Sequence, residues 1–118
     1  MELAKQLAIN ADDSSKRTAA DRAYYAAFLT CRDVLASKGY LVPQYNLDDH
    51  KSVPQTLKSI EALGSRGNDE ERLRSARNRI NYDTRELRDQ PQSAVCSINW
   101  MITTAQDIIN GVQALPKR

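Results

Sequence analysis

Histidine occurs once in this 118-residue chain and cysteine twice. His50 has no Cys, His or acidic companion at metal-ligand spacing, so a metal centre and a cofactor are not expected. One cysteine pair is not a disulfide framework. Cys31 and Cys96 each fall on the apolar side of an expected helix and read as small buried side chains. No apolar run approaches the length that spans a bilayer, so no membrane association is expected. The first residues, Met-Glu-Leu-Ala-Lys-Gln, lack the apolar core of a signal peptide. The expected compartment is therefore the cytoplasm, with reduced thiols. A strong excess of one charge is missing too, since the formal net charge is +2. That excludes a global basic field for nucleic acid and leaves only a local patch. No segment shows sustained strand alternation, and there is no internal repeat or low-complexity tract.

What is present is helical periodicity, in a chain of a length that suits one domain over residues 1–118. Leu3, Leu7 and Ala11 give a short first helix over residues 2–13, interrupted by Asp12-Asp13-Ser14-Ser15. Ala20, Tyr24, Ala27, Phe28, Cys31 and Leu35 form the inward stripe of a helix from Ser15 to Lys38, which Gly39 ends. Tyr24 and Tyr25 point about 100° apart, so one enters the core while the other faces a rim. Tyr40 to Asp49 is a loop, apolar enough to pack back onto the bundle. Ser52-Val53-Pro54-Gln55 reads as a capping box opening a third helix, which Gly64 ends. Gly64 to Asp69 reads as a loop. Asn68 then caps a fourth helix, whose inward residues are Leu73, Ala76 and Ile80 and whose positive end suits Asp69, Glu70 and Glu71. Tyr82 to Gln92 reads as irregular. Val95, Ile98, Met101 or Ile102, Ala105, Ile108 or Ile109, Val112 and Leu115 carry a last helix, starting near Pro91–Ser93. Trp100 lies off its main stripe. The expected architecture is an all-α, antiparallel four/five-helix bundle.

Arginine outnumbers lysine 11 to 6 and is densest in Arg72–Asp83. The planar guanidinium suits bidentate contact with phosphate or carboxylate. On a helical wheel Arg72 and Arg79 overlap on one flank of the Leu73–Ala76–Ile80 stripe, while Arg77 lies on the other and Arg74 further out. Composition alone favours a solvated helix whose arginines pair with neighbouring acids, since acidic residues share the span and the local balance is barely positive.

Two motifs sharpen this. Asp21-Arg22-Ala23-Tyr24-Tyr25-Ala26-Ala27-Phe28, followed by Asp33-Val34-Leu35 and Lys38-Gly39, resembles the second helix of the HEPN (higher eukaryotes and prokaryotes nucleotide-binding) domain family. Arg77-Asn78-Arg79-Ile80-Asn81-Tyr82-Asp83 resembles that family's late motif, and His50 resembles a histidine found before a helix in one subgroup. The resemblance covers residues 15–115 in element order. It implies a helical bundle that commonly dimerises. Active members are metal-independent ribonucleases using an arginine, a following polar residue and a histidine four to six residues beyond the arginine. Arg77 matches the arginine and Asn78 the polar residue, but Tyr82 stands where the histidine belongs, and no histidine follows His50.

The chemistry explains why that matters. Metal-free RNA cleavage needs one group to take the 2′-hydroxyl proton and another to protonate the leaving oxygen, and histidine titrates near neutrality. Tyrosine, with a reference pKa near 10, is a poor base at pH 7. Arg77 can still hold a phosphate and Tyr82 can stack on a base. Sequence spacing gives His50 no link to this motif. The expectation is therefore a HEPN-like RNA- or nucleotide-binding module with a degenerate catalytic motif (Arg77, Asn78, Tyr82), in which Arg77, Arg74, Asn81 and Arg22 meet the nucleic acid. Such a module belongs to a prokaryotic defence or toxin–antitoxin system and acts as a homodimer or with a minimal nucleotidyltransferase. The alternatives are an active metal-independent ribonuclease toxin and a purely structural helical adaptor.

Overall fold

The computed structural model describes residues 13–82 and 91–118, with side chains from 15–81 and 96–118. The expected helix over residues 2–13 lies outside the described residues except for Asp13; of the stretch Tyr82 to Gln92 expected to be irregular, 83–90 lie outside them, while Tyr82, Pro91 and Gln92 are helical. Four helices and no strands occur among the described residues: α1 (Asp13–Ser37), α2 (Asp49–Ser59), α3 (Gly64–Tyr82) and α4 (Pro91–Gln113). A 3-10 turn, Glu61–Leu63, joins α2 to α3. The protein is an all-α helical bundle. No described helix is long and apolar enough to cross a membrane.

Helix α1 organises the bundle by packing against all three others. Its alanines allow that closeness: Ala19, Ala20, Ala23 and Ala27 are fully buried beside Tyr24, Cys31 and Leu35. The C-terminus of α1 ends in a Schellman motif, with the Tyr40 N–H reaching Leu35 O at 2.8 Å and the Gly39 N–H reaching Ala36 O at 3.2 Å. Gly39 takes φ 88°, a conformation that glycine adopts without steric penalty. The Lys38 ammonium donates to Gln113 O and Leu115 O, tying the end of α4 to the end of α1. Helix α4 contributes Ile98, Met101, Ile102, Ala105, Ile108 and Val112 to the core.

Several boundaries differ from the sequence reading. Asp13, Ser14 and Ser15 are helical, so the expected break does not occur there. Gly64–Asp69 is also helical, not a loop. The reason lies at Gly67, where a Cβ would stand 2.7 Å from Pro54 O and 2.9 Å from Lys58 N. Glycine is needed there to bring α3 against α2, not to make a turn. Helix α2 opens at Asp49 instead of Ser52, so Ser52 caps nothing and its hydroxyl donates to Asp48 O at 3.1 Å. The Tyr40–Asp49 loop packs only in part. Tyr40 and Leu41 touch the core, while Val42, Tyr45 and Leu47 stand exposed. Cys31 is buried, and burial pushes its thiol up to about 12. Cys96 is exposed. It lies two residues before Ile98, about 200° around the helix and so on the opposite face.

Candidate functional site

The site forms where the middle of α1, the start of α2 and the middle of α3 meet. Arg77 Nε donates to Asp21 Oδ1 at 2.8 Å, and Asn81 Nδ2 donates to the same oxygen at 2.9 Å. Arg77 Nη1 donates to Asn78 Oδ1 at 3.1 Å. Arg77 and Asn81, four residues apart on α3, thus converge on one carboxylate of α1, and Asn78 braces Arg77 from the next position. That carboxylate was quoted in the sequence motif without a role. The Arg77 guanidinium also lies over the Tyr25 ring, 5.3 Å from its centroid.

Tyr25 is the hinge between this latch and a second cluster. Its ring meets His50 edge-on, with centroids 6.1 Å apart. His50 stacks on Phe28 at 4.1 Å and 10°, and its Nδ1 lies 2.5 Å from the Tyr24 hydroxyl oxygen. The other ring nitrogen, Nε2, makes no hydrogen bond among the described residues and is not buried. Burial lowers the His50 pKa, and Arg74, Arg77 and Arg32 lower it further against the opposing pull of Asp49. The imidazole is therefore neutral at pH 7.

Glu70 lies behind Tyr24. It is fully buried, and neither carboxyl oxygen has a hydrogen bond of normal geometry. The Tyr24 hydroxyl is close enough to hold the Glu70 pKa down in part, yet burial dominates and pushes it up to about 7. The hydroxyl has one proton and two acceptors competing for it, and the 2.5 Å contact with His50 is the closer engagement. Tyr24 itself is raised, first by burial and then by the Glu70 charge. Arg74 acts on Tyr24, Glu70 and His50 together, which places it with this second cluster and not with the Arg77 latch.

A buried aspartate builds the rim. Asp49 Oδ1 accepts the Gln44 N–H at 2.9 Å, and Oδ2 accepts the Tyr45 N–H at 2.8 Å. This bends the loop so that Tyr45 takes φ 56°, a left-handed conformation that L-residues adopt at a cost. The Tyr45 ring then lies under Arg32, 4.8 Å from centroid to guanidinium carbon, while remaining 69% exposed.

The structure thus brings together Arg77, Asn78 and Asn81, while Arg74 stands with the Tyr24–Glu70–His50 cluster. Tyr82 ends the described part of α3, and its side chain lies outside the described residues. Arg22 is exposed and has no described contact with Asp21 or Arg77. Arg72 and Arg79 line a separate groove of about 490 Å³ with Ser75, Ala76 and Trp100, on the α4 side. Asp21, Asp49, His50 and Glu70 were not among the expected site residues. Asp21 and His50 stood in the sequence motifs without a role, and Glu70 shares one helical face with residues 73, 77 and 80 once the helix is extended back to Gly64. No cluster of three or more metal-ligating side chains occurs among the described residues. No protein-family model, curated protein or solved structure matches this chain.

Proposed function

We propose that this protein is an RNA- or nucleotide-binding helical module of the HEPN kind, cytoplasmic and dimeric, working in a prokaryotic defence or toxin–antitoxin system. A minimal nucleotidyltransferase is its expected partner if it does not act as a homodimer. The observation that carries the reading is the meeting of Arg77 and Asn78 with His50 around Tyr25, beside the exposed Tyr45 ring under Arg32. Guanidinium groups hold phosphate by charge-assisted hydrogen bonds, and an exposed ring offers a base a stacking surface. Asp21 keeps Arg77 ordered and partly neutralised, so a phosphate competes with this carboxylate for the guanidinium.

A second reading, metal-independent ribonuclease, is favoured by one specific feature. His50 has its pKa lowered below 6.5 and comes from another helix, yet it meets the same Tyr25 ring as Arg77 and feels the Arg77 charge. That placement offers the proton-transfer group which Tyr82 does not.

The test is RNA binding by fluorescence anisotropy across a salt series, with a cleavage assay in chelator alongside. Binding should weaken steeply with salt, and Arg77→Ala should lower affinity and reduce the salt slope by about one. Cleavage lost in both Arg77→Ala and His50→Ala would favour the enzyme. No salt-dependent binding to any RNA would leave the structural adaptor and overturn the binding reading.

A further inference from the structure

Glu70 is a fully buried carboxylic acid with no formed hydrogen bond to account for it. A leucine or methionine would fill its place without leaving two buried oxygens unpartnered. Its nearest exchangeable proton is that of the Tyr24 hydroxyl, which lies close enough to act on Glu70 without a formed hydrogen bond and which itself engages His50 Nδ1 at 2.5 Å. We infer that Glu70, Tyr24 and His50 form a proton relay that sets which tautomer of His50 is presented to a phosphodiester oxygen at the Arg77 face. This rests on the phosphate-binding reading above for its ligand, but not for its proton chemistry.

The two states are defined by their protons. With Glu70 protonated, its O–H donates to the Tyr24 oxygen, the Tyr24 O–H donates to His50 Nδ1, and Nε2 carries a hydrogen facing outwards. With Glu70 ionised, the Tyr24 O–H donates to the carboxylate, His50 Nδ1–H donates to the Tyr24 oxygen, and Nε2 presents a lone pair. Passing from the first state to the second moves the carboxyl proton to the Tyr24 oxygen and the Tyr24 proton to Nδ1. The Nε2 proton leaves to solvent, so one proton is lost in all. The buried carboxyl thereby ionises with no opening of the core. In the first state Nε2–H donates to a phosphate oxygen; in the second it repels one and is poised to accept a proton.

The surrounding charges set the working range. Glu70 is faced by Tyr24 and Cys31 from α1, Lys58 from α2, and Arg74 and Glu71 on its own helix. His50 is faced by Tyr24 and Arg32 from α1, Asp49 on α2, and Arg74 and Arg77 from α3. Burial brings Glu70 up to about 7, while burial and the neighbouring arginines push His50 below its ordinary 6.5, so the two groups are shifted apart.

The sole histidine makes the test direct. In the full chain labelled with nitrogen-15, long-range proton–nitrogen correlation spectra report which ring nitrogen of His50 carries the hydrogen. The wild type should change its dominant tautomer from Nε2–H to Nδ1–H between about pH 6 and pH 8, and Glu70→Gln should show a ratio that does not vary with pH. Binding of a short oligoadenylate, whose phosphodiesters do not titrate in this range, should be roughly tenfold tighter at the lower pH in wild type, matching one hydrogen bond to a charged acceptor. That difference should vanish in Glu70→Gln. A constant tautomer ratio in wild type overturns the relay, and this measurement needs no variant to fold. Persistent inversion in Glu70→Gln overturns the role of Glu70. Arg77-dependent RNA binding with a constant ratio overturns the relay and keeps the binding reading. Inversion without RNA binding keeps the proton chemistry and overturns the binding reading.

Discussion

Helices α3 and α4 both pack on α1, yet they bury different chemistry. The buried residues of α4 are apolar without exception among those described, from Ile98 to Val112. Helix α3 buries Leu73, Ala76 and Ile80 but sets Glu70 among them, and it presses Arg77 and Asn81 onto Asp21. An apolar seam gains stability from each methylene removed from water and is insensitive to pH. A polar junction gains little net stability and loses some to desolvation, and it does so in a pH-dependent way. The comparison separates the part of the molecule that holds it together from the part arranged to do something.

The largest expected effect breaks the α4 side. Ile102→Ala removes a fully packed side chain and should cost about 2–5 kcal/mol in urea unfolding, equally at pH 5 and pH 8. Glu70→Gln tests the α3 side and should go the other way. The folded-state pKa of Glu70, about 7, lies above its ordinary 4.5. The folded state therefore holds the proton more tightly, and the wild type loses stability as pH rises from about 4.5 to 7, by about 3 kcal/mol. Glu70→Gln should match wild type near pH 4.5 and exceed it by that amount at pH 8. The lowered His50 contributes with opposite sign, since its stabilisation is lost as pH falls below its ordinary 6.5. It is common to both proteins and cancels in their difference.

Smaller effects sharpen the contrast further. Asp21→Ala removes one acceptor shared by Arg77 and Asn81, both only partly buried, and should cost about 1 kcal/mol. Unlike the core changes, it should tighten RNA binding at low salt, because it removes a carboxylate that competes with phosphate for Arg77 Nε. Asp107→Ala breaks the exposed pair with Arg66, whose Nη2 lies 3.3 Å from Asp107 Oδ1, and should cost about 0.5 kcal/mol or less in thermal unfolding.

The core stripes were legible because burial imposes a period of 3.6 residues, and Tyr24, Leu35, Leu57, Ile80 and Ile108 are all inside as that period requires. The flanks of α3 were legible for the same reason, with Arg77 turned to α1 and Arg72 and Arg79 to the groove at Trp100. What sequence did not convey was glycine as a packing residue. Reading Gly64–Asp69 as a loop placed Glu70 in the first turn of a helix, where an acid suits the dipole, and so concealed its burial. His50 was missed because its tie to Tyr24 spans 26 residues and depends on how α2 crosses α1, which no local spacing encodes. Asp21 was hidden in the same way, since its partners lie 56 and 60 residues away.

The conformation of Tyr45 has a consequence for any attempt to engineer this chain. A left-handed residue with a side chain carries a penalty of about 1–2 kcal/mol, and glycine at that position would avoid it. Tyr45→Gly should leave the melting temperature unchanged or higher while deleting the exposed ring beneath Arg32. A library selected for thermal stability alone would therefore drift away from tyrosine here. One selected for ligand capture would restore it, and the residue recovered at this single position would report which pressure had been applied.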